Sequence, residues 1–320
     1  APEIFFKILE KGKGKLVPLK EVAEVRFGIK TGANEFFYLT EEEIKRWKIE
    51  KEFWMHKDES GNWVPNYVIE SAEESSKPQI EYSILKKRLL FVDKTEDKLK
   101  NKNVLRYIKY GEQKGFDKRP TCASRKPWYN LGKNINDIIA FPERIRLRHI
   151  VFYNPHRVSL NKNLYGIEPI NKELAKVLSI TLNSTIILLY LELFARQLGG
   201  GGGPLDIDVY VVKDILIPKE EILKSHKEKI LDTASILKRE IDPIFSELGA
   251  ESPEEVSLEK VKSDRRKLDK IVMGEILDLT DEEQLEVYRA VIDLVKSRIE
   301  RAKSVKNKKI VEGVDIDAAK

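Results

Sequence analysis

The sequence predicts an α+β protein in which a strand-rich part precedes a helical part, and three observations lead there. Short runs in the first half, such as VRFGI (25–29) and IIAFP (138–142), have the alternating or continuous apolar character of strands. From Glu221 onward, apolar residues recur at steps of three and four, the helical period. The length of 320 residues and the 41% hydrophobic share suffice for more than one core. The expected division is a first domain over 1–220, strand-rich over 1–165 with a central buried helix and a strand over 166–220, followed by a helical region over 221–320.

In chain order, VRFGI and FFYL (36–39) read as two strands joined by the glycine-containing turn KTGANE. Thr40 followed by Glu43 reads as a capping box opening a short helix toward Trp47. NVLRYIKYG (103–111) reads as a helix stopped by Gly111. IIAFP and ERIRLRHIVFYNP (143–155) read as strands. Glu168 to Gln197 contains a long helix, apolar on nearly every side and therefore buried. Thr181, Asn183, Ser184, Thr185 and Glu192 interrupt it too often for a membrane span. GGGGG (199–203) follows that helix, and DIDVYVVKDILIP (206–218) returns to strand. SPEE (Ser252–Glu255) and TDEE (Thr280–Glu283) both read as capped helix starts. The last helix carries a narrow seam of Leu285, Tyr288, Ile292, Val295, Ile299 and Ala302, which packs on a neighbour in the same chain or on a partner.

Composition narrows the function. One cysteine fits a reducing cytoplasm and leaves no internal disulfide. Abundant Lys and Glu with few Gln, Cys and Met suggest a thermophile. APEIFFKILEKGKGK has too short an apolar run for a secretory signal. The net charge of +5 is unevenly spread: residues 101–165 alone carry 14 basic and 4 acidic side chains. Such a block attracts polyanions, with nucleic acid the expected partner; a solvated surface is the plainer reading.

The glycine run does not suit a phosphate loop. Glycines that cradle phosphate precede a helix and lead into Lys-Ser/Thr, whereas these follow a helix, whose end carries partial negative charge, and lead into Pro204. They read as a turn from helix to strand, with positive φ angles. The four histidines (56, 149, 156, 226) and Cys122 lack paired metal-ligand spacing, and there is no GxSxG or HExxH. EDK (96–98) and EQK (112–114) are weak hints of a metal nuclease, of a kind any Lys/Glu-rich chain contains.

Two stretches suit nucleic acid. RPTCASRKPWYNLGK (119–133) sets Arg119, Arg125 and Lys126 near Trp128 and Tyr129, cations for phosphate and aromatics for stacking; Trp128 filling the core is the competing reading. In a strand, Arg144, Arg146 and Arg148 of RIRLRH would share one face, opposite Ile145 and Leu147. Three cations on one face call for an anion; a solvated edge strand is the alternative.

Taken in order, GIKTGANEFFYL, RKPWYNL, IIAFPERIRLRHIVFYN, LAKVLSITLNSTIILLYLELFARQLGGGG and DIDVYVVKDILIP resemble the target recognition domain of N6-adenine DNA methyltransferases of restriction–modification systems. The likeness is to the TaqI-like C-terminal specificity domain and, more distantly, to type I specificity subunits. DRRKLDKIVMGEILDLTDEEQLEVYRAVIDLVKSRIERAKS resembles the helical tail that often follows it. The resemblance implies a module that reads DNA while a separate catalytic domain, fused or in trans, binds S-adenosylmethionine and methylates a flipped adenine. IDPIF (241–245) resembles the Pro-Pro-aromatic loop of such catalytic domains only superficially, because Ile244 replaces the second proline; it reads as a helix boundary. No cofactor is therefore expected in this chain, and APEIFF would fit the join to a catalytic domain.

Under this resemblance Thr31, Gly32 and Asn34 set a turn that leaves Lys30 to phosphate, and Arg196 stands at the lip of the glycine run. The expected DNA contacts are Lys30, Thr31, Arg119, Arg125, Lys126, Trp128, Tyr129, Arg144, Arg146, Arg148 and Arg196. The alternatives are an assembly subunit whose C-terminal helices bind methylase or nuclease subunits, and a complete enzyme of another chemistry.

Overall fold

Period-two burial along one strand locates the centre of the molecule. In the computed structural model, which describes residues 1–58, 60–198 and 203–311, Ala23 and Val25 point into a core while Glu24 points out. The chain opens with α1 (Glu3–Gly12), β1 (Leu16–Pro18) and this strand, β2 (Ala23–Phe27). Residues 28–138 then build a lobe, apart from Ile69, Ile80 and Leu85, which join the main core, from α2 (Asn34–Phe37), β3 (Tyr38–Leu39), α3 (Glu41–Trp47), β4 (Met55–Lys57), β5 (Trp63–Pro65), β6 (Val68–Ile69), β7 (Arg88–Leu89), α4 (Asn103–Gln113) and α5 (Pro120–Ala123). The chain returns as β8 (Ile139–Pro142), β9 (Arg144–Ile145), β10 (Phe152–Tyr153), β11 (Ser159–Leu160) and β12 (Leu164–Pro169). Next come α6 (Ala175–Thr181), α7 (Thr185–Phe194), β13 (Arg196–Gln197), β14 (Leu205–Asp206), α8 (Val209–Lys213) and β15 (Leu216–Pro218). The helical end comprises α9 (Glu220–Ser225), α10 (Lys227–Leu231), α11 (Ile244–Leu248), α12 (Ser263–Asp269) and α13 (Asp281–Val311).

The main sheet has the order β10-β8-β12-β2, and its neighbours are antiparallel. Ile167 of β12 lies opposite Val25 on one side and Ile139 on the other. One core runs from Ile4 through this sheet to Val295, so the C-terminal helices close over the sheet with no break in packing at residue 220. A second core, from Ile29 to Tyr129, belongs to the inserted lobe. The fold is α+β, as the sequence predicts.

Several elements differ from the expected ones, each for a physical reason. VRFGI and FFYL do not pair: β2 joins β12, and Asn34–Phe37 is a helical turn that drops Phe36 and Phe37 into the lobe core, leaving only Tyr38–Leu39 to pair with β7. Gly111 does not stop its helix. It lies inside α4, where a Cβ would come within 2.7 Å of the Phe36 ring and 2.9 Å of Trp128, so its absent side chain lets the helix approach. The single long helix is two, α6 and α7, bent by 74°. The break holds because the Asn183 side chain donates to the carbonyls of Val151 and Ser179 (both 2.8 Å), and Asp269 accepts from Thr185 N and Oγ1 (2.8 and 2.6 Å). No single helix among the described residues is long and apolar enough to cross a membrane.

DIDVYVVKDILIP is interrupted by α8, and SPEE makes one 3-10 turn without a Ser252 side-chain cap. Both capping boxes at Thr40–Glu43 and Thr280–Glu283 form. The α13 seam packs within the chain: Tyr288, Ile292 and Val295 are buried in the main core. Pro243 stands at the start of α11, as a helix boundary.

Candidate nucleic-acid interface

The antiparallel register brings the C-terminal end of β2, the start of β12 and the end of β8 to one end of the sheet: Tyr165 lies opposite Phe27, and Leu164 opposite Pro142. The segments at that end are Gly28–Lys30, Asn161–Asn163 and Glu143–Ile145. A Cβ on Gly28 would lie 2.1 Å from the Asn161 carbonyl oxygen, so only glycine admits this approach. Ile29 N donates to Leu160 O (2.7 Å) and Lys162 N to Ile29 O (3.0 Å). Lys30 and Lys162 thus emerge side by side from neighbouring backbones, both exposed.

Beyond β8 the chain makes a short second sheet, β13-β14-β9, with Asp206 opposite both Arg196 and Arg144. The Asp206 carboxylate accepts from Arg196 and from Arg144 Nε (3.1 Å). The Arg196 hydrogen bond, reinforced by Arg144, holds Asp206 below the usual carboxylate range. Two guanidinium groups share one carboxylate, and both remain about two-thirds exposed, at 64% and 65%.

The expected strand through RIRLRH covers only Arg144–Ile145, and the chain bends at Arg146 and Leu147. The correction is one of backbone, because exposure still alternates: Arg144, Arg146 and Arg148 face out, while Ile145 and His149 are buried. The three arginines line a cleft of about 620 Å³, with Glu73, Pro204 and Pro243 on its other walls. Among the described residues neither the Arg146 nor the Arg148 side chain has a hydrogen-bond or carboxylate partner.

The cleft wall is braced from behind by Arg298 of α13, which sequence reasoning did not single out. Its buried guanidinium bonds Glu192 of α7 through Nε (2.9 Å) and Nη2 (2.7 Å), and donates to Arg146 O (2.9 Å) and Gly203 O. Burial pushes the Glu192 carboxyl up, and Arg298 opposes that shift. Of the glycine run, Gly199–Gly202 lie outside the described residues; Gly203 has φ +61°. The flanking strands β13 and β14 pair with each other, so the run joins two strands and does not lead directly from helix to strand.

The 119–133 stretch is arranged differently. Tyr129 is fully buried, its hydroxyl donating to Lys94 O (3.1 Å). Trp128 packs on Phe36 at 4.7 Å between ring centroids and donates Nε1 to Glu112 (3.3 Å). Tyr129 is a core residue of the lobe, which corrects its expected role as a stacking group; Trp128 is half-buried against that core. Thr31, 1% exposed, is buried too, and its carbonyl accepts from Arg125. Arg125 also lies 5.3 Å over the Phe37 ring, turned into the lobe. Arg119 pairs with Glu35 (2.5 Å) and lies over Phe116. Lys126 is exposed. Lys162 escapes sequence reasoning because a lone lysine in a loop gives no pattern; only the register shows that it lies beside Lys30.

Ile241 and Ile244 of IDPIF are buried in the main core and Pro243 begins a helix, so the segment presents no open loop to a ligand. Among the described residues no group of three His, Cys, Asp or Glu could hold a metal ion.

The described residues form a two-lobed α+β module with an exposed arginine-lined cleft. Comparison with known proteins gives the family. Residues 5–247 match the model of the type II methyltransferase M.Eco57I C-terminal domain, and the chain belongs to that family. It is 29% identical over 121 residues to the type II methyltransferase M.AccI of Acinetobacter calcoaceticus, covering 36% of this chain and 20% of that protein. Two solved structures share its fold. The type IIG restriction endonuclease BpuSI matches with TM-score 0.54 and 13% identity, over 94% of this chain and 34% of BpuSI. The type IIL restriction–modification enzyme MmeI, solved in complex with DNA, matches with TM-score 0.55 and 15% identity, over 91% of this chain and 36% of MmeI. The chain therefore spans about a third of these structures and a fifth of M.AccI.

Proposed function

We propose that this domain binds and reads double-stranded DNA for a type II adenine methyltransferase whose catalytic domain, with its S-adenosylmethionine, lies in another part of the same protein or in a partner. The observation that carries the reading is the cleft with Arg144, Arg146 and Arg148 facing out and the last two unpaired. Cations without carboxylate partners repel one another until an anion arrives, and counterion release makes DNA phosphate a favourable one. The site end adds Lys30, Lys162 and Arg196 to the same purpose. The family membership supports the reading, as does the DNA complex in which MmeI was solved.

The test is duplex binding across a salt series. R146A/R148A should weaken binding and reduce the magnitude of the slope of log K against log salt by about 1.8, at roughly 0.9 for each phosphate no longer neutralised. Both side chains are exposed, so the melting temperature should not move. An unchanged slope refutes their role.

A further inference from the structure

One side chain at the sheet end breaks the logic of its own strand. Along β2, Ala23 and Val25 are buried, and the alternation assigns Phe27 to the same face; yet Phe27 is 61% exposed. It leans edge-on against Tyr165 (centroids 5.5 Å, 66°), whose hydroxyl is tied to Ile207 O (2.7 Å), so the ring rests on a fixed support. A single exposed apolar side chain is ordinary on a protein surface; Phe27 is set apart by the unpaired cations at the same end of the sheet. Three residues on stands Lys30, with Lys162 beside it. Neither lysine has a partner among the described residues. Arg144 and Arg196 stand on the adjoining short sheet, with Asp206 neutralised between them.

We propose that Phe27 is an apolar wedge that enters the DNA duplex at one base step, while Lys30 and Lys162 hold the flanking phosphates. The proposal rests on the DNA-binding reading above and adds an interaction of different chemistry. A ring that partly unstacks a step kinks the backbone beside it, and neighbouring cations can hold the displaced phosphates there. A protein partner fits less well, since lysine is depleted at the centre of protein interfaces and two unpaired lysines border this ring.

Anisotropy with a pool of duplexes randomised over the central base pairs tests this on the whole chain. F27A should weaken binding about fivefold, the low end for one base–aromatic stack, and leave the salt slope unchanged, because every phosphate keeps its cation. K30A/K162A should instead reduce the slope by about 1.8 and weaken binding in a salt-dependent way. F27W should retain affinity, and its added fluorescence, relative to the unsubstituted chain, should be quenched by duplex. Unchanged affinity in F27A, or F27W emission indifferent to duplex, overturns the wedge while leaving the arginine cleft standing. A change in oligomeric state of F27A without a change in DNA affinity also overturns it and assigns the ring to a protein interface. Failure of the unsubstituted chain to bind any duplex at low salt overturns the DNA-binding reading itself.

Discussion

Two stretches of similar chemistry, 119–129 and 144–148, point in opposite directions. Both crowd cations into few residues, and both lie in the basic block. In the first, Arg125 turns back to the Thr31 carbonyl and the Phe37 ring, and Tyr129 fills the lobe core with Trp128 packed against it. In the second, the three arginines face solvent while Ile145 between them and His149 after them are buried. The aromatics make the difference. A tryptophan and a tyrosine gain more by burial than the neighbouring cations lose by following them, so the segment folds inward, and its arginine takes carbonyl and ring partners on the way. Without aromatics, the second segment buries only its small apolar and imidazole positions and keeps every guanidinium outside. Charge density in a sequence therefore says little about which cations reach a ligand until the apolar residues beside them are placed.

The largest effect that can break this comparison is at Trp128. W128A empties a site packed against Phe36 and Phe37, and should cost about 3–5 kcal/mol of stability. At a temperature where the variant stays folded, its DNA salt slope should match the unsubstituted chain's. Chemical denaturation and the salt series check the two halves separately. A slope change with little loss of stability would make Trp128 a ligand-binding residue after all.

Local chemistry was legible in the sequence where it is local. The capping boxes at Thr40 and Thr280 form because both partners lie within one turn. The helix break at Asn183 was not legible, because the groups that satisfy it, Val151 and Asp269, lie far away in sequence. The site divides the same way. The outward set Arg144, Arg146 and Arg148 followed from alternation, although the backbone bends where a strand was expected. Lys162, Asp206 and Arg298 were invisible, because strand register and helix packing bring them there. Thr31 was placed at the site by its turn, but the turn hides its side chain.

A middle-sized effect separates the two segments by pH. His149, next to the exposed Arg148, is buried with Nε2 at 2.8 Å from Leu182 O, and burial, with Arg265 nearby, lowers it from 6.5 to about 4. The unfolded chain takes up a proton near pH 6.5 that the folded chain refuses until about pH 4. This contribution to stability is therefore full above pH 6.5 and is lost as pH falls toward 4, roughly 3 kcal/mol in all. In denaturant unfolding at stepped pH, H149Q should flatten the profile over that window relative to the unsubstituted chain. A parallel profile would mean that the imidazole is not sealed and that the inward half of the alternation is loose.

The smallest effect sharpens the comparison most, because it concerns a cation that is exposed but paired. Arg119 is 41% exposed, and its Nη2 lies 2.5 Å from Glu35, whose carboxyl the hydrogen bond holds below its ordinary range. Removing an exposed pair of this kind costs roughly 0.5 kcal/mol or less. The DNA readout is more telling. A guanidinium already matched by a carboxylate releases few counterions when it meets phosphate, since the net charge presented is near zero. R119A should therefore change the salt slope by much less than the ~0.9 expected for one free arginine. E35Q, which leaves the fold in place and frees Arg119, should steepen the slope toward that value if the cation lies within reach of the duplex. Equal slopes in all three proteins would put Arg119 beyond reach of the duplex. A full-sized loss in R119A would show that pairing within the chain does not disqualify a cation from binding DNA, and the distinction drawn between the two segments would then rest on direction alone.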